Sequence, residues 1–521
     1  MVDDVDDALL RALHDHNPWW EDGTAAFSLP ARQKSDFYHL VRPDDPDTQF
    51  EDQSVLGLVG RRGAGKTTLL HQFVHHQIEA GYAPEQFCYL PFAADPLYQL
   101  NSDDQLTRAV RHYETRILGR VDEPDSHFLL LDDVHRIEHQ NKPTINGWGT
   151  PLKQLLADDD ARHVAVTASA SLQVERELDR VGLPKEDYDT QPILPEKFRD
   201  YLYSIQPELE EPDRRVSPTS IRDGPNSLPA AIDSKSVDAL VDELRAKHEQ
   251  VEDQARLVRS KLVRYLATGG IVAYDRDDDL ADETDVTDAD FERLRQETRH
   301  ALYQEVPGFE TIKTIDDLER LCALAARNRA RDAIRFQGLV ELFDVDRRTI
   351  TDSYLPALDE LYLLSGITEY DNRRPRSVRL YLRDTGLVNA LTGDDWATMR
   401  DDFDREADLA RIAAFDHTMR FAYGINAAQG QDVTPSVEYW QTRHGEVDYV
   451  FEIDDTPVPI GLAYKPRDRE DALTALEAFR AEYDAPVAFL LRGDASRRPE
   501  PIEDVQDGIV ELPYWLYLLL C

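Results

Sequence analysis

The first 205 residues predict an α/β fold built on an open parallel sheet, and three observations carry this. Short unbroken apolar runs at 55–60 (VLGLVG), 87–92 (FCYLPF), 127–133 (HFLLLDD) and 163–169 (HVAVTAS) read as strands buried on both faces. The segments TTLLHQFVHHQIEAG and QLTRAVRHYETRIL (105–118) have helical periodicity. Strands and helices alternate, which is the pattern of parallel strands joined by crossover helices.

The elements follow in chain order. Residues 1–50 form a polar lead-in around HNPWW (His16 to Trp20), where adjacent tryptophans read as a packing anchor. The helix after the first strand stops at Gly81, a residue type suited to a helix C-terminus. QPIL (191–194) is a short further strand. Residues 206–236, rich in Pro, Asp and Ser, read as an exposed insertion. Residues 236–267 are helical until TGG (268–270) breaks them. Eight aspartates between 275 and 290 read as a solvated acidic loop, not a metal site. Residues 291–335 are again helical, and 336–364 form two helices joined by a short turn. VRLYLRD ends a strand at 373–382. The tail predicts strands at VEYWQTR, EVDYVFEI, PIGLAYK and VAFLLRG, a helix over 470–483, and a buried last element in YWLYLLLC.

Composition bounds the setting. A chain of 521 residues suggests three or four domains, and 41% hydrophobic residues suffice for real cores. Lys and Arg number 59 against 101 Asp and Glu, a formal charge of −42. Asp (65) outnumbers Glu (36), and only 11 residues are Lys. That balance suits a high-salt cytoplasm, where hydrated carboxylates keep a protein dissolved. At molar salt the Debye length is about 3 Å, so the acidity leaves room for a local basic site. Cys88, Cys322 and Cys521 lack disulfide or zinc spacing and fit a reducing compartment. The acidic N-terminus is unlike a signal peptide, and no run nears the ~20 apolar residues of a membrane span. A soluble, cytoplasmic protein is expected.

The chemistry sits in Gly60-Arg61-Arg62-Gly63-Ala64-Gly65-Lys66-Thr67, followed by Thr68. This is a phosphate-binding loop, G-x-x-x-x-G-K-[ST], between a strand and a helix. Glycines let backbone N–H groups turn around phosphate oxygens, and the helix N-terminus adds partial positive charge. Lys66 is placed for the β and γ phosphates of ATP and Thr67 for Mg²⁺. The second half should be an acid ending a buried strand, and HFLLLDD supplies it. Asp132 would hold Mg²⁺ through water, and Asp133 would orient or deprotonate the attacking water. Glu usually serves there, and Asp is one methylene shorter, so slow hydrolysis is expected. Thr167, ending the next strand, is a candidate γ-phosphate sensor. Arg62 and Arg199 could stabilise transferred charge, but in a chain with this many arginines a surface ion pair is the expected role of either.

With these pieces in order, the chain resembles archaeal and bacterial AAA+ type P-loop ATPases with a winged-helix segment and a restriction-endonuclease-like C-terminal domain. HNPWW, LVGRRGAGKTTLLHQF, YLPFAADP with Asp95, LLLDDVH, VTASAS, LPEKFRDYL, YLATGG, RRTITDSYLPALDELYLL and RLYLRDTGLVNAL carry the resemblance over about 500 residues. It implies a lead-in (1–50), an α/β P-loop NTPase domain of AAA+/ASCE type (51–205), a helical lid with the acidic insertion (206–300), a winged helix (301–372) and a degenerate nuclease-like domain (373–521). Arg347, Arg348 and Thr349 would open the second helix of a helix-turn-helix, as DNA readers or as part of a spacer.

The tail departs from the resemblance. Nucleases of that fold need an upstream Glu, a strand Asp and an E-x-K on the next strand. Asp448 and Lys465 stand in place, but Ala463, or Gly461 in a shifted frame, replaces the second acid. Ala413 or Ala414 replaces the upstream Glu. Lys465 is then expected to pair with Asp448 or Glu446. The leading expectation is a slow Mg²⁺-dependent ATPase acting as a nucleotide-driven switch. An ATP-bound, DNA-associated regulator with little hydrolysis is the alternative, and a nuclease comes third. A protein partner of the C-terminal domain and oligomerisation stay open.

Overall fold

The computed structural model describes residues 11–29, 54–93, 103–122, 124, 126–139, 142–158, 161–272, 288–305, 314–393, 403–430, 435–443, 445–493, 502–506 and 508–521. Asp95 and most of the acidic run 275–290 lie outside them. The chain divides into two compact units, 1–194 with 304–310, and 195–303 with 311–521.

The first unit is a five-stranded sheet made of β1 (Val55–Val59), β2 (Phe87–Pro91), β3 (His127–Asp132), β6 (Arg162–Ala168) and β7 (Tyr188–Pro192). The spatial order is β2-β3-β6-β1-β7, with every neighbouring pair parallel. Strand β6 therefore stands between the strand that opens into the glycine loop and the strand that ends in the acids. β1, β2 and β3 are buried at every position, as crossover helices on both faces require. Those helices are α1 (Lys66–Glu79), α2 (Asp103–Arg116), α3 (Gly149–Asp158) and α4 (Ser171–Val181). A small hairpin of β4 (Glu138–His139) and β5 (Lys142–Asn146), not anticipated from sequence, precedes α3.

Strand β2 is the sheet edge, and the HNPWW segment covers it. The Asn17 side chain donates to the Tyr89 carbonyl (2.9 Å) and accepts from the Tyr89 N–H (2.6 Å). Trp20 Nε1 donates to the Phe87 carbonyl at 2.8 Å, and Trp19 Nε1 reaches the same oxygen at 3.4 Å. The tryptophans are buried anchors, as expected, and they also satisfy strand polar groups that would otherwise invite another strand.

In the second unit, residues 206–236 are not the exposed insertion expected from composition. Leu209, Val216, Ile221 and Leu228 are buried, and short helices form at Thr219–Arg222 and Leu228–Ser234. The helical run over Ala255–Val272 is interrupted at Gly269 (φ +69°, ψ −173°), so TGG breaks the helix as expected, and a short helical stretch follows it. There Asp384 accepts from the N–H groups of Gly270 (2.8 Å) and Gly386 (2.9 Å). A Cβ on Gly270 would lie 2.1 Å from the Glu196 carbonyl oxygen, and one on Gly386 2.3 Å from that of Thr268. Asn389 Nδ2 adds a bond to the Ala267 carbonyl at 2.6 Å.

Further along, helix Phe336–Phe343 turns at Asp344 into a helical segment over 347–360. Strands β8 (Ile334–Arg335), β10 (Ser377–Leu382) and β9 (Leu364–Ile367) then form an antiparallel sheet in the order β8-β10-β9. The tail sheet contains β11 (Glu438–Thr442), β12 (Gly445–Ile453), β13 (Thr456–Ala463), β14 (Ala488–Arg492), β15 (Glu503–Asp504) and β16 (Ile509–Pro513). Its order is β11-β12-β13-β14-β16-β15, parallel only at β13–β14 and β14–β16. Helix Arg469–Tyr483 packs on it through Ala475, Leu476 and Phe479, and the buried helix Tyr514–Leu520 follows β16. No described helix is long and apolar enough to cross a membrane.

Candidate nucleotide site

The site lies at the carboxyl ends of β1, β3 and β6, where ligands of open parallel sheets bind. Strand β1 closes against its neighbours through Gly60, whose N–H bonds the Ala168 carbonyl at 3.1 Å. A Cβ on Gly60 would fall 2.1 Å from the Ile193 carbonyl oxygen, so no side chain fits at this crossing. Gly63 (φ +83°) and Gly65 (φ +91°) adopt the left-handed conformation that turns the loop into α1. Arg62 and Gly63 face solvent, Ala64 is buried and Thr68 is half-buried.

Lys66 opens α1 and folds back over the loop. It is 7% exposed, and its Nζ donates to the carbonyls of Gly60 (2.6 Å) and Arg61 (3.2 Å). Both of these described partners are neutral carbonyl oxygens. Thr67 Oγ1 donates to Asp132 Oδ2 at 2.7 Å, which joins the loop to the acidic strand end.

Asp132 is 5% exposed and accepts from three hydroxyls. Besides Thr67, the Tyr89 hydroxyl donates to Oδ2 at 2.7 Å and Thr167 Oγ1 to Oδ1 at 2.5 Å. The Thr167 hydroxyl also accepts from the Asp133 N–H at 2.8 Å. Thr167 is thus bonded to both acids, and its hydroxyl serves the acid turn. Asp133 sits at φ +59°, a left-handed position that Asp tolerates better than most residues. Its carboxylate lies 3.8 Å from Arg136 Nε. Burial, then the Asp132 charge, push the Tyr89 phenol far up, so it stays a hydrogen-bond donor. Burial lowers the pKa of His71, against the pull of Asp132.

A carboxylate held by neutral donors, a hydroxyl beside it and a buried ammonium over the loop fit a phosphate chain with a divalent cation. Sequence reasoning found Lys66, Thr67, Asp132, Asp133 and Thr167 but missed Tyr89. The signal was weak: a tyrosine two residues before the end of an apolar strand. Arg199 lies in the second unit, 3.7 Å from Asp200 Oδ1.

In the tail, Asp448 Oδ1 accepts from Arg411 Nε at 3.2 Å, and Oδ2 from the Leu462 N–H at 2.7 Å. Glu446 faces Arg379 (2.7 Å) and Arg331 (3.1 Å). Lys465 pairs with Asp404, not with Asp448 or Glu446 as expected. Strand β13 ends at Ala463, so alternation no longer places Lys465 on the Asp448 face.

Comparison with known proteins adds the following. Residues 52–202 match the model of an AAA domain, and residues 281–398 match a domain of unknown function. An uncharacterized protein of Methanocaldococcus jannaschii is 31% identical over 173 residues, which cover 33% of this chain and 32% of that relative. The match thus spans about a third of the relative's length. Among solved structures, the Walker-type ATPase of Pyrococcus abyssi is similar over 66% of this chain and 93% of its own, with 10% identity and a TM-score of 0.34. The ORC2 protein of Aeropyrum pernix, in ADPNP–ADP complexes, is similar over 70% and 95%, with 15% identity and a TM-score of 0.34. Residues 52–202, which include the glycine loop, are thus similar to an AAA domain, and their parallel five-stranded α/β sheet supports a P-loop NTPase fold.

Proposed function

We propose that this protein binds ATP with Mg²⁺, hydrolyses it slowly, and uses the nucleotide state as a switch. One observation carries the reading: Lys66, Thr67 and Asp132 meet at the strand ends, with the two buried charges bonded to neutral groups. Lys66 and the loop N–H groups from Gly60 to Thr68 would hold the phosphates. Thr67 and Asp132 would hold Mg²⁺, which neutralises charge on the phosphate oxygens. Asp133 is the residue proposed to orient the attacking water. Thr167 is proposed as the γ-phosphate sensor, acting by way of the two acids it bonds. Residues 206–300, the winged-helix reading of 301–372 and the nuclease-like tail are the parts proposed to respond. The test is fluorescent-ATP binding and phosphate release at molar KCl. Lys66→Ala should abolish both, and unchanged hydrolysis would remove this loop from the reaction.

A second reading, DNA association, is favoured by arginines that gather in an acidic chain. Arg373, Arg374 and Arg376 are exposed in the loop between β9 and β10, and Arg348 is exposed at the start of 347–360. Arg347 ties these parts together: its guanidinium stacks 4.3 Å from the Phe336 ring, and Nη2 donates to the Pro375 carbonyl at 2.6 Å. Contact with phosphates would then fall to Arg348 and the loop arginines. Duplex DNA binding should weaken in Arg373→Ser/Arg374→Ser, with a shallower salt dependence. An unaltered salt slope removes the loop from the interface.

A further inference from the structure

We propose that Tyr89 is a positioning residue for the cation-binding carboxylate, and that the lead-in segment, through Asn17, sets Tyr89; this rests on the nucleotide reading above. Strands β2 and β3 pair in parallel with Pro91 opposite Asp132. Tyr89 is two residues before Pro91, so its side chain rises on the Asp132 face. The long ring spans that offset and brings the hydroxyl to Oδ2, the same oxygen that Thr67 reaches. Oδ2 is therefore fixed from the loop side by Thr67 and from the edge strand by Tyr89.

The ring itself is boxed in. His71 from α1 meets it edge-on with centroids 4.8 Å apart, and Trp19 lies at 6.4 Å. Trp19 is stacked on Phe27 at 5.2 Å, so this wall too comes from the lead-in. The backbone under Tyr89 is held by Asn17, which is 1% exposed and bonds both its N–H and its carbonyl. Asn17 also donates to the Leu13 carbonyl at 2.8 Å, which anchors the clamp in the preceding helical turn. Among the described residues, the lead-in is what bonds β2 on its open side, through Asn17 at Tyr89 and the tryptophans at Phe87. The clamp thus supplies, at one residue, the pair of bonds a sixth strand of this sheet would make.

Partners that orient a metal ligand commonly matter by about 10- to 100-fold in metal affinity. The experiment uses the full chain at molar KCl. Fluorescent ATP is titrated with Mg²⁺ to read half-saturation, the same nucleotide is bound in EDTA, and thermal unfolding is followed. Tyr89→Phe keeps the ring and removes the hydroxyl. It should raise half-saturating Mg²⁺ about tenfold while leaving binding in EDTA and the unfolding midpoint near the parent's. A Mg²⁺ curve that superimposes on the parent's overturns the assignment. Asn17→Ala should shift the curve the same way, and Asn17→Ala/Tyr89→Phe no further than Tyr89→Phe alone. Additive shifts overturn the link between lead-in and acid. If Asn17→Ala lacks a cooperative transition, Asn17→Ser takes its place in the cycle. A parent chain with no Mg²⁺-dependent binding at all, and Lys66→Ala indistinguishable from it, would fail the nucleotide reading instead.

Discussion

Replacing Asp133 by Asn tests the proposed chemistry with little structural disturbance. The residue holds φ +59°, a region that Asn enters as readily as Asp, so the turn should survive. The substitution also weakens a contact of 3.8 Å with Arg136, and partly exposed pairs of this kind are worth about 0–1 kcal/mol. The Thr167 bond to the residue-133 N–H is untouched. Stability and ATP binding should therefore stay near the parent's, while turnover falls by about 10²-fold or more, the scale of a lost general base. Asp133→Glu adds the missing methylene and should raise turnover, at a cost of about 1 kcal/mol for Glu in the left-handed region. Phosphate release under single-turnover conditions at molar KCl reads the chemistry, and thermal unfolding reads the cost. If Asp133→Asn hydrolyses like the parent, the water-positioning acid is elsewhere. Asp132 would be the first suspect and Asp95 the second.

Three further outcomes are expected in the second unit. His417 is buried with Nδ1 on the Ala413 carbonyl (2.8 Å) and Nε2 accepting from the Phe198 N–H (3.0 Å), and burial depresses its pKa to about 3. The neutral ring's contribution is complete above the ordinary pKa of 6.5 and is lost as pH falls toward 3, because the unfolded chain takes up the proton first. The gap in urea midpoint between parent and His417→Gln should thus shrink from pH 7 to pH 4; a constant gap contradicts the assignment. Arg411→Leu leaves the buried Asp448 carboxylate without its cation and should cost about 3–5 kcal/mol, whereas Arg411→Leu/Asp448→Leu should recover most of that in denaturant unfolding. A double variant less stable than the single would refute this. With Asp448 engaged by Arg411 and Leu462, no Mg²⁺- or Mn²⁺-dependent cleavage of linear, supercoiled or single-stranded DNA is expected. Metal-dependent cutting by the parent that vanishes in Asp448→Ala would reverse that conclusion.

The α/β unit was readable because its signals are local. Continuous apolar runs gave β1, β2, β3 and β6 within a residue or two, and the glycine spacing gave the loop. What stayed hidden depends on register. Tyr89 meets Asp132 only because Pro91 pairs with it, and nothing local to FCYLPF announces that pairing. The missing acids at Ala463 and Ala414 were visible, but not the guanidinium that meets Asp448, since Arg411 lies 37 residues away on a helix. Lys465 was misassigned by carrying strand alternation past the strand's last residue. In 206–236 the Pro and Ser punctuation outweighed a sparse set of aliphatics that tertiary packing buries.

The crossing of 268–270 with 384–386 limits how any signal can travel. The two backbones meet without room for a side chain: a Cβ on Gly386 would fall on the Thr268 carbonyl oxygen, and one on Gly269 on the Asp384 carboxylate. Asp384 then fastens both strands of the crossing at once. The break at Gly269 and the start of helix 385–392 are therefore held together as one joint. A movement that separated these two segments would break the Asp384–Gly270 and Asn389–Ala267 bonds together.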